Sequence, residues 1–189
     1  MNPSCYVDLQ LADGSASAPG GNKIFALLHG AFTTLSDHQY ALAIPGLYLP
    51  KQRQPKRGTD MRFSKLRVFA ETMVALQALN DAITADNIQF LFPKTIPDGF
   101  DGDWGVFSRF RVPSRKAERT PDNPLRLRKI MEATERDLLY FSVYSKTTDQ
   151  FFRLHIDFKR VEPSVVESST PDAYGLSVKS RLIPLPLLP

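Results

Sequence analysis

An α+β fold is predicted for this 189-residue chain by two observations. In the first half, strand and helix periods follow in the order β-α-β-β-α-β, the ferredoxin-like arrangement shared by RNA-recognition domains and many unrelated proteins. In the second half, a basic strand and a basic helix precede an aromatic β-hairpin. The turn-rich stretch 94–103 lies between the halves, so we predict a ferredoxin-like domain at 1–95 and a second domain at 96–189.

The strands of the first half are predicted from alternating or β-branched residues, and its helices from apolar residues at helical spacing. Residues 13–22 are rich in Gly, Ser, Ala and Pro, which predicts a loop. The first helix is therefore placed at 23–35, with Asn22 as its N-cap, and the second at 71–81. The four strands are predicted at 4–11, 38–44, 64–70 and 87–92.

The second half begins with a predicted strand at 104–112, which Pro113 ends. Arg109 and Arg111 both occupy odd positions of this strand and therefore point to one face. A helix is predicted at 125–137, after a start signal at Asn123 and Pro124. Its basic residues are Arg126, Arg128 and Lys129, and its inward side is predicted to contain Leu127, Ile130 and Met131.

A β-hairpin is predicted at 141–158, because two arms of aromatic and β-branched residues flank a polar run at 146–150. Strand alternation places Phe152 on the core face and Phe151 on the opposite face with Arg153. The polar run can grip a phosphate backbone. Its cation, hydroxyls and amide are Lys146, Thr147, Thr148 and Gln150.

Two segments after the hairpin complete the chain. Residues 173–177 are predicted to form a short extended segment. The tail 182–189 is apolar and rich in proline but too short to cross a membrane. We predict that it packs on the body of the protein or on a partner.

Composition narrows the class of protein. The formal net charge is +4, and basic residues concentrate at 51–67 and 109–129. Such clusters fit a polyanionic partner, but charge alone fits a solvated basic surface without a partner equally well. Cys5 is the single cysteine, so an internal disulfide framework and a cysteine-based zinc site are excluded. No export signal or membrane-spanning run is present, and a cytoplasmic location without membrane contact is expected.

His29 is the candidate for chemistry on the first helix, where it shares a face with Phe25 and Phe32. Taken alone, it fits a partly buried structural histidine better than a catalytic one. In RNA cleavage without a metal, a ribose 2′-hydroxyl attacks its own 3′ phosphate, and a histidine can transfer the proton. A serine or threonine can hold the hydroxyl in line, and cations can stabilise the charge that develops.

The sequence lacks the motifs of other enzymatic chemistries. The three histidines, His29, His38 and His155, have no metal-ligand spacing, and there are no paired carboxylates, so neither a metal nor another cofactor is predicted. A phosphate-binding Gly-Lys-Ser loop and a nucleophile-elbow serine are both absent from the sequence. Nucleotide hydrolysis and acyl transfer are therefore not predicted.

Three short motifs occur in a specific order: 24–30 (IFALLHG), 145–154 (SKTTDQFFRL) and 174–177 (YGLS). With these motifs the chain resembles the CRISPR-associated endoribonucleases that process precursor CRISPR RNA in type I-F and related systems. The resemblance covers essentially the whole sequence.

The resemblance implies a metal-independent endoribonuclease with a ferredoxin-like N-terminal domain and a C-terminal RNA-binding domain. It implies cleavage at the 3′ base of the repeat stem-loop, leaving a 5′-hydroxyl and a 2′,3′-cyclic phosphate or a 3′-phosphate. The protein would then remain on the 3′ stem-loop of the CRISPR RNA as a subunit of a type I-F-like surveillance (Cascade) complex.

The resemblance also implies roles for residues. His29 transfers the proton, Ser145 positions the 2′-hydroxyl, and Tyr174 orients the histidine or the scissile nucleotide. Arg111 stands where the family often has glutamine, which shifts base preference toward guanine, and Phe151 and Phe152 are alternative stacking residues for the terminal base pair. The implied RNA-binding residues are Arg109, Arg111, Arg115, Lys116, Arg119, Arg126, Arg128, Lys129, Lys146, Thr147, Thr148, Gln150, Phe151, Phe152 and Arg153.

Two other functions are compatible with the sequence. The basic strand and helix would equally serve a subunit that holds the RNA hairpin without cutting it. The apolar tail would serve a ferredoxin-like module that binds other proteins.

Overall fold

The computed structural model describes residues 1–49, 60–113, 125–145, 149–162 and 169–189. In these ranges the chain is mixed α and β, with three α-helices and two antiparallel sheets, which confirms the predicted fold class. Residues 1–108 and 158–189 form one compact unit, and residues 109–157 form a second. No helix in the described ranges has the length and apolarity needed to span a membrane.

The first unit has the predicted β-α-β-β-α-β order. Its strands pair antiparallel in the order β2-β3-β1-β4, which is the ferredoxin-like topology. A short strand, β5 (Lys94–Thr95), adds a second pairing to β1. The principal elements are β1 (Cys5–Leu11), α1 (Ala18–Thr34), β2 (Tyr40–Ala43), β3 (Leu66–Ala70), α2 (Met73–Ala82) and β4 (Ile88–Phe90).

The first helix begins five residues earlier than predicted. Ser17 caps it by accepting a hydrogen bond from the backbone N–H of Gly20 at 3.3 Å. A Cβ on Gly20 would overlap the side chain of Leu11, and one on Gly21 would overlap Phe63. Gly20 and Gly21 therefore allow close packing within a helix, whereas the glycine-rich composition of residues 13–22 had predicted a loop.

The central strand β3 is buried along its whole length, including its one charged residue. Arg67 donates to both carboxylate oxygens of Asp8, at 2.6 and 2.9 Å. It also donates to the backbone oxygens of Leu188, at 2.6 Å, and Pro189, at 2.9 Å. The apolar tail thus packs on the body of the first unit, one of the two alternatives predicted from the sequence. Its buried side chains include Ile183, Leu185 and Leu188.

A second sheet has the strand order β7-β8-β6-β9. Strand β6 ends at Phe110, so the prediction that Arg111 lies within this strand is wrong. The four strands are β6 (Trp104–Phe110), β7 (Tyr140–Ser145), β8 (Gln150–Val161) and β9 (Leu185–Pro186).

The helix of the second unit is α3 (Leu125–Glu135). The predicted inward side of this helix is wrong, since Leu127 and Met131 are exposed while Ala133 is buried. The ammonium group of Lys129 instead lies over the ring of Phe110, with Nζ 4.9 Å from the ring centroid.

The predicted hairpin is present. Strands β7 and β8 pair from Tyr140 opposite His155 to Ser145 opposite Gln150, so Gln150 begins a strand and does not lie in the turn. Phe151 is exposed and Phe152 is half-buried, as strand alternation predicted.

Candidate active site and RNA-binding residues

His29 lies on α1 and is half-buried. Its Nδ1 is 2.8 Å from the backbone oxygen of Ala173. Because a carbonyl oxygen can only accept, Nδ1 carries the proton in this hydrogen bond. The neutral ring then presents Nε2 as an acceptor, and Nε2 has no hydrogen-bond partner among the residues that the structure describes.

Tyr174 covers one face of the imidazole. The ring centroids of His29 and Tyr174 are 4.2 Å apart, with an angle of 23° between the ring planes. Phe25 lies one helical turn before His29 and stacks on the same tyrosine, at 5.9 Å and 7°. Both helix residues therefore contact a single ring, which fixes the direction in which the imidazole points.

A tight turn at 172–176 holds Tyr174 in place. The carboxylate of Asp172 accepts hydrogen bonds from the backbone N–H groups of Tyr174, at 2.9 Å, and Leu176, at 3.0 Å. Gly175 follows with φ +74°, and its carbonyl accepts a 2.7 Å hydrogen bond from the N–H of Leu42 on the edge strand β2. The predicted extended segment at 173–177 is therefore wrong at its start, where Ala173 and Tyr174 form a turn and Gly175 a bend.

Asp172 and Gly175 were missed by sequence reasoning as site residues. Their spacing carried a signal, because an Asp side chain often bonds the backbone two residues on and Gly supplies a positive φ. A Cβ on Gly175 would lie 2.9 Å from Cε2 of Phe32 and 3.1 Å from the backbone nitrogen of Leu42.

Ser145 belongs to the second unit, where it is the last residue of β7 and half-buried. Of the three predicted catalytic residues, the first unit brings His29 and Tyr174 into contact across 145 positions of sequence.

The predicted RNA-binding residues of the second unit differ in their surroundings. The guanidinium of Arg109 lies 5.5 Å from the ring centroid of Phe152, and both residues are half-buried. Arg111 is exposed beyond the end of β6. On α3, Arg128 is exposed, and Lys129 is paired with Glu132 at 2.6 Å, which lowers the pKa of that carboxyl.

The remaining predictions fall into two groups. Arg126 is half-buried on α3, whereas Gln150 and Arg153 are exposed on β8. Six predicted RNA-binding residues lie outside the described residues. These are Arg115, Lys116, Arg119, Lys146, Thr147 and Thr148.

Charge is distributed unevenly between the two units. Residues 109–157 contain 11 Lys and Arg against 7 Asp and Glu, so the whole formal net charge of +4 lies in this segment. The described residues contain no group of three or more His, Cys, Asp or Glu that could hold a metal ion. The second unit is thus the basic part of the chain, and the histidine with its tyrosine belongs to the neutral part.

Comparison with known proteins gives one match. A model of the family described as CRISPR-associated protein (Cas_Csy4) matches residues 6–185. No curated protein matches the chain significantly.

Proposed function

Because the chain belongs to the Csy4 family of CRISPR-associated proteins, we propose that it cuts precursor CRISPR RNA at the 3′ base of the repeat stem-loop without a metal ion. The family consists of endoribonucleases that process CRISPR repeat RNA. Beyond this family activity, we propose a specific cleavage site, a reaction chemistry and roles for individual residues. The observation that best supports the proposal is the hydrogen bond from Nδ1 of His29 to the backbone oxygen of Ala173, because this bond leaves Nε2 as a proton acceptor.

The reaction is an internal transesterification. The ribose 2′-oxygen attacks the adjacent phosphorus, the bond to the 5′-oxygen of the next nucleotide breaks, and the 2′-hydroxyl proton leaves. Nε2 of His29 is proposed either to take this proton or to give one to the departing 5′-oxygen, with water supplying the other transfer, so that the 5′-oxygen becomes the 5′-hydroxyl. The products are a 2′,3′-cyclic phosphate, or a 3′-phosphate after hydrolysis, and a 5′-hydroxyl.

Tyr174 positions the histidine. A ring stacked on the imidazole restricts its rotation, and the π face also stabilises the positive charge that the imidazole gains when it takes a proton. Ser145 is proposed to hold the 2′-hydroxyl in line with the phosphorus. Neither residue changes its bonding during the reaction.

RNA binding is assigned to the basic segment. Arg109 and Arg111 are proposed to read base edges of the stem, since arginine pairs with guanine through two hydrogen bonds. The cations of α3 are proposed to contact phosphates. The functional division we propose is a histidine-bearing domain at 1–95 and an RNA-binding domain at 96–189, which stays on the cleaved stem-loop within a Cascade-type complex.

The test compares two histidines. His29→Ala is expected to abolish cleavage of the repeat RNA while binding persists, because only proton transfer is lost. His38→Ala is the matched control; His38 is half-buried and meets Tyr40 edge to face, with centroids 6.2 Å apart. Equal cleavage by wild type and His29→Ala would overturn the proposal, and binding without cleavage by wild type would make the chain a hairpin-holding subunit.

A further inference from the structure

The outward side of the hairpin carries an unusual amount of aromatic surface. Phe151 is 75% exposed, Tyr144 46% and Tyr140 37%. The other side of the same two strands is buried, so polar residues are expected outside and rings are found instead. We call this side the aromatic face. It consists of Tyr140, Ser142, Tyr144, Phe151, Arg153 and His155.

The rings of the aromatic face are arranged in two pairs. Tyr144 and Phe151 face each other near the turn, with centroids 5.2 Å apart. Tyr140 and His155 face each other four residues further along, at 5.4 Å. Four strand residues correspond to about 14 Å, so the two pairs are separate stacking positions along one ribbon.

A cation lies between the two ring pairs. The guanidinium of Arg153 is 4.6 Å from the ring centroid of Tyr140, and its side chain is exposed. It has no carboxylate partner among the described residues. Arg153 therefore offers an uncompensated positive charge beside aromatic rings.

The acidic groups near this face are already engaged. Asp149 accepts a hydrogen bond from the hydroxyl of Tyr144, which fixes that ring, and Asp157 pairs with Arg136. Burial and the nearby Arg153 lower the pKa of His155, so its ring is neutral at pH 7 and adds a flat π surface. The segment as a whole carries the net charge of +4, which complements a polyanion.

We propose that the aromatic face binds single-stranded RNA, and that the RNA is the unpaired sequence flanking the repeat stem-loop. Bases stack on the exposed rings, and Arg153 contacts a phosphate between them. Base-paired nucleotides stack on each other and do not offer their faces to side chains, whereas unpaired nucleotides do. The identity of the RNA rests on the proposed function, but the chemical class of the ligand rests on this face alone.

Tyr144 is the diagnostic position, because it has no part in the proposed cleavage or stem binding. In Tyr144→Thr and Tyr140→Thr, a β-branched residue keeps the strand propensity and removes the ring. Phe92→Thr is the matched control, since it removes a strongly exposed ring from the first unit. Thermal melting of each variant checks that the fold is retained.

Binding is measured with four labelled RNAs. One is the bare stem-loop, one adds a 5′ flank, one adds a 3′ flank with 2′-deoxyribose at the cut, and one is an oligouridine without a stem. Wild type is expected to bind at least one flanked RNA about tenfold more tightly than the bare stem-loop, the size of one or two base–aromatic stacks. Tyr144→Thr is expected to lose this difference and to bind the bare stem-loop as wild type does. It is also expected to cleave all-ribose repeat RNA that continues past the cut as wild type does.

The outcomes separate the two proposals. If flanks add nothing for wild type, or if Tyr144→Thr keeps the full difference, the aromatic face does not bind single strands and a protein partner becomes its occupant. If wild type does not bind the stem-loop, the proposed function is wrong. Binding of oligouridine then tests whether the aromatic face binds single-stranded RNA. Weaker oligouridine binding by Tyr144→Thr than by Phe92→Thr would support RNA binding by the aromatic face. Equal binding by the two variants would contradict it.

Discussion

His29 and Tyr174 are in ring-to-ring contact, with centroids 4.2 Å apart, and the histidine is bonded through Nδ1 to the residue just before that tyrosine. One short turn therefore sets both the protonation pattern and the orientation of the imidazole. In the proposed function, this arrangement orients His29 for proton transfer, so the turn at 172–176 is expected to be needed for cleavage.

The first prediction concerns the ring of Tyr174. Tyr174→Ala removes the stack and is expected to lower the single-turnover cleavage rate by about 10- to 100-fold, since misorientation of a general acid or base costs that much. Tyr174→Phe retains the stack and is expected to keep most of the activity. RNA affinity should change little in both variants. Equal loss in Tyr174→Phe would show that the hydroxyl, and not the ring, does the work.

The second prediction concerns the carboxylate of Asp172. Asp172→Ala removes the acceptor of two backbone N–H groups and is expected to slow cleavage and lower the free energy of unfolding by about 1–3 kcal/mol. Asp172→Asn keeps an oxygen in the same place and is expected to retain activity. Cleavage rates and denaturant unfolding of the two variants check this. Wild-type cleavage by Asp172→Ala would contradict the role given to the turn.

The third prediction concerns the buried pair of Arg67 and Asp8. Arg67→Ala removes the two-pronged partner of the buried Asp8 carboxylate and leaves it with the partly exposed Lys65, 3.3 Å away, so it is expected to destabilise the protein by about 3–5 kcal/mol. The double variant Arg67→Met with Asp8→Leu should recover much of that loss, because no charge remains buried. Arg160 and Asp103 form the exposed control pair, and Arg160→Ala should cost less than about 1 kcal/mol. Denaturant unfolding measures all three.

The fourth prediction concerns pH. Because burial and Arg153 hold the pKa of His155 below its ordinary 6.5, the unfolded chain binds a proton at a higher pH than the folded one. The stabilising effect of the neutral ring is fully present above pH 6.5 and is lost as pH falls through the lower folded pKa. His155→Gln should flatten this decline in unfolding free energy, which denaturant unfolding at a series of pH values measures. An unchanged decline in His155→Gln would contradict the assignment.

The order of elements in the first unit follows from the sequence because strand alternation and helical spacing are local signals. The start of α1 does not follow from the sequence in the same way. Gly20 and Gly21 lie in close contact with Leu11 and Phe63, and such contacts between different elements leave no local pattern. The inward side of α3 was mispredicted for a different reason. Lysine counts as polar and outward in a hydrophobic pattern, but the ammonium group of Lys129 lies over the ring of Phe110.

The candidate site shows the same limit. The residue types were read from the sequence, and the motif resemblance selected His29 and Tyr174 among many alternatives. Their contact spans 145 positions, and no periodicity predicts such a pairing. The aromatic face was visible only in part, because alternation placed Phe151 outside but did not show that Tyr144 lies opposite it.

The most direct test of the central claim is cleavage of the chain's own repeat stem-loop RNA by wild type in excess EDTA, beside the same RNA with 2′-deoxyribose at the cut. The account predicts that the all-ribose RNA is cut, with a 2′,3′-cyclic phosphate or 3′-phosphate and a 5′-hydroxyl as products, and that the deoxy RNA is bound but not cut. Cleavage of the deoxy RNA, or loss of all cleavage in EDTA with recovery on adding a divalent cation, would contradict metal-free attack by the 2′-hydroxyl.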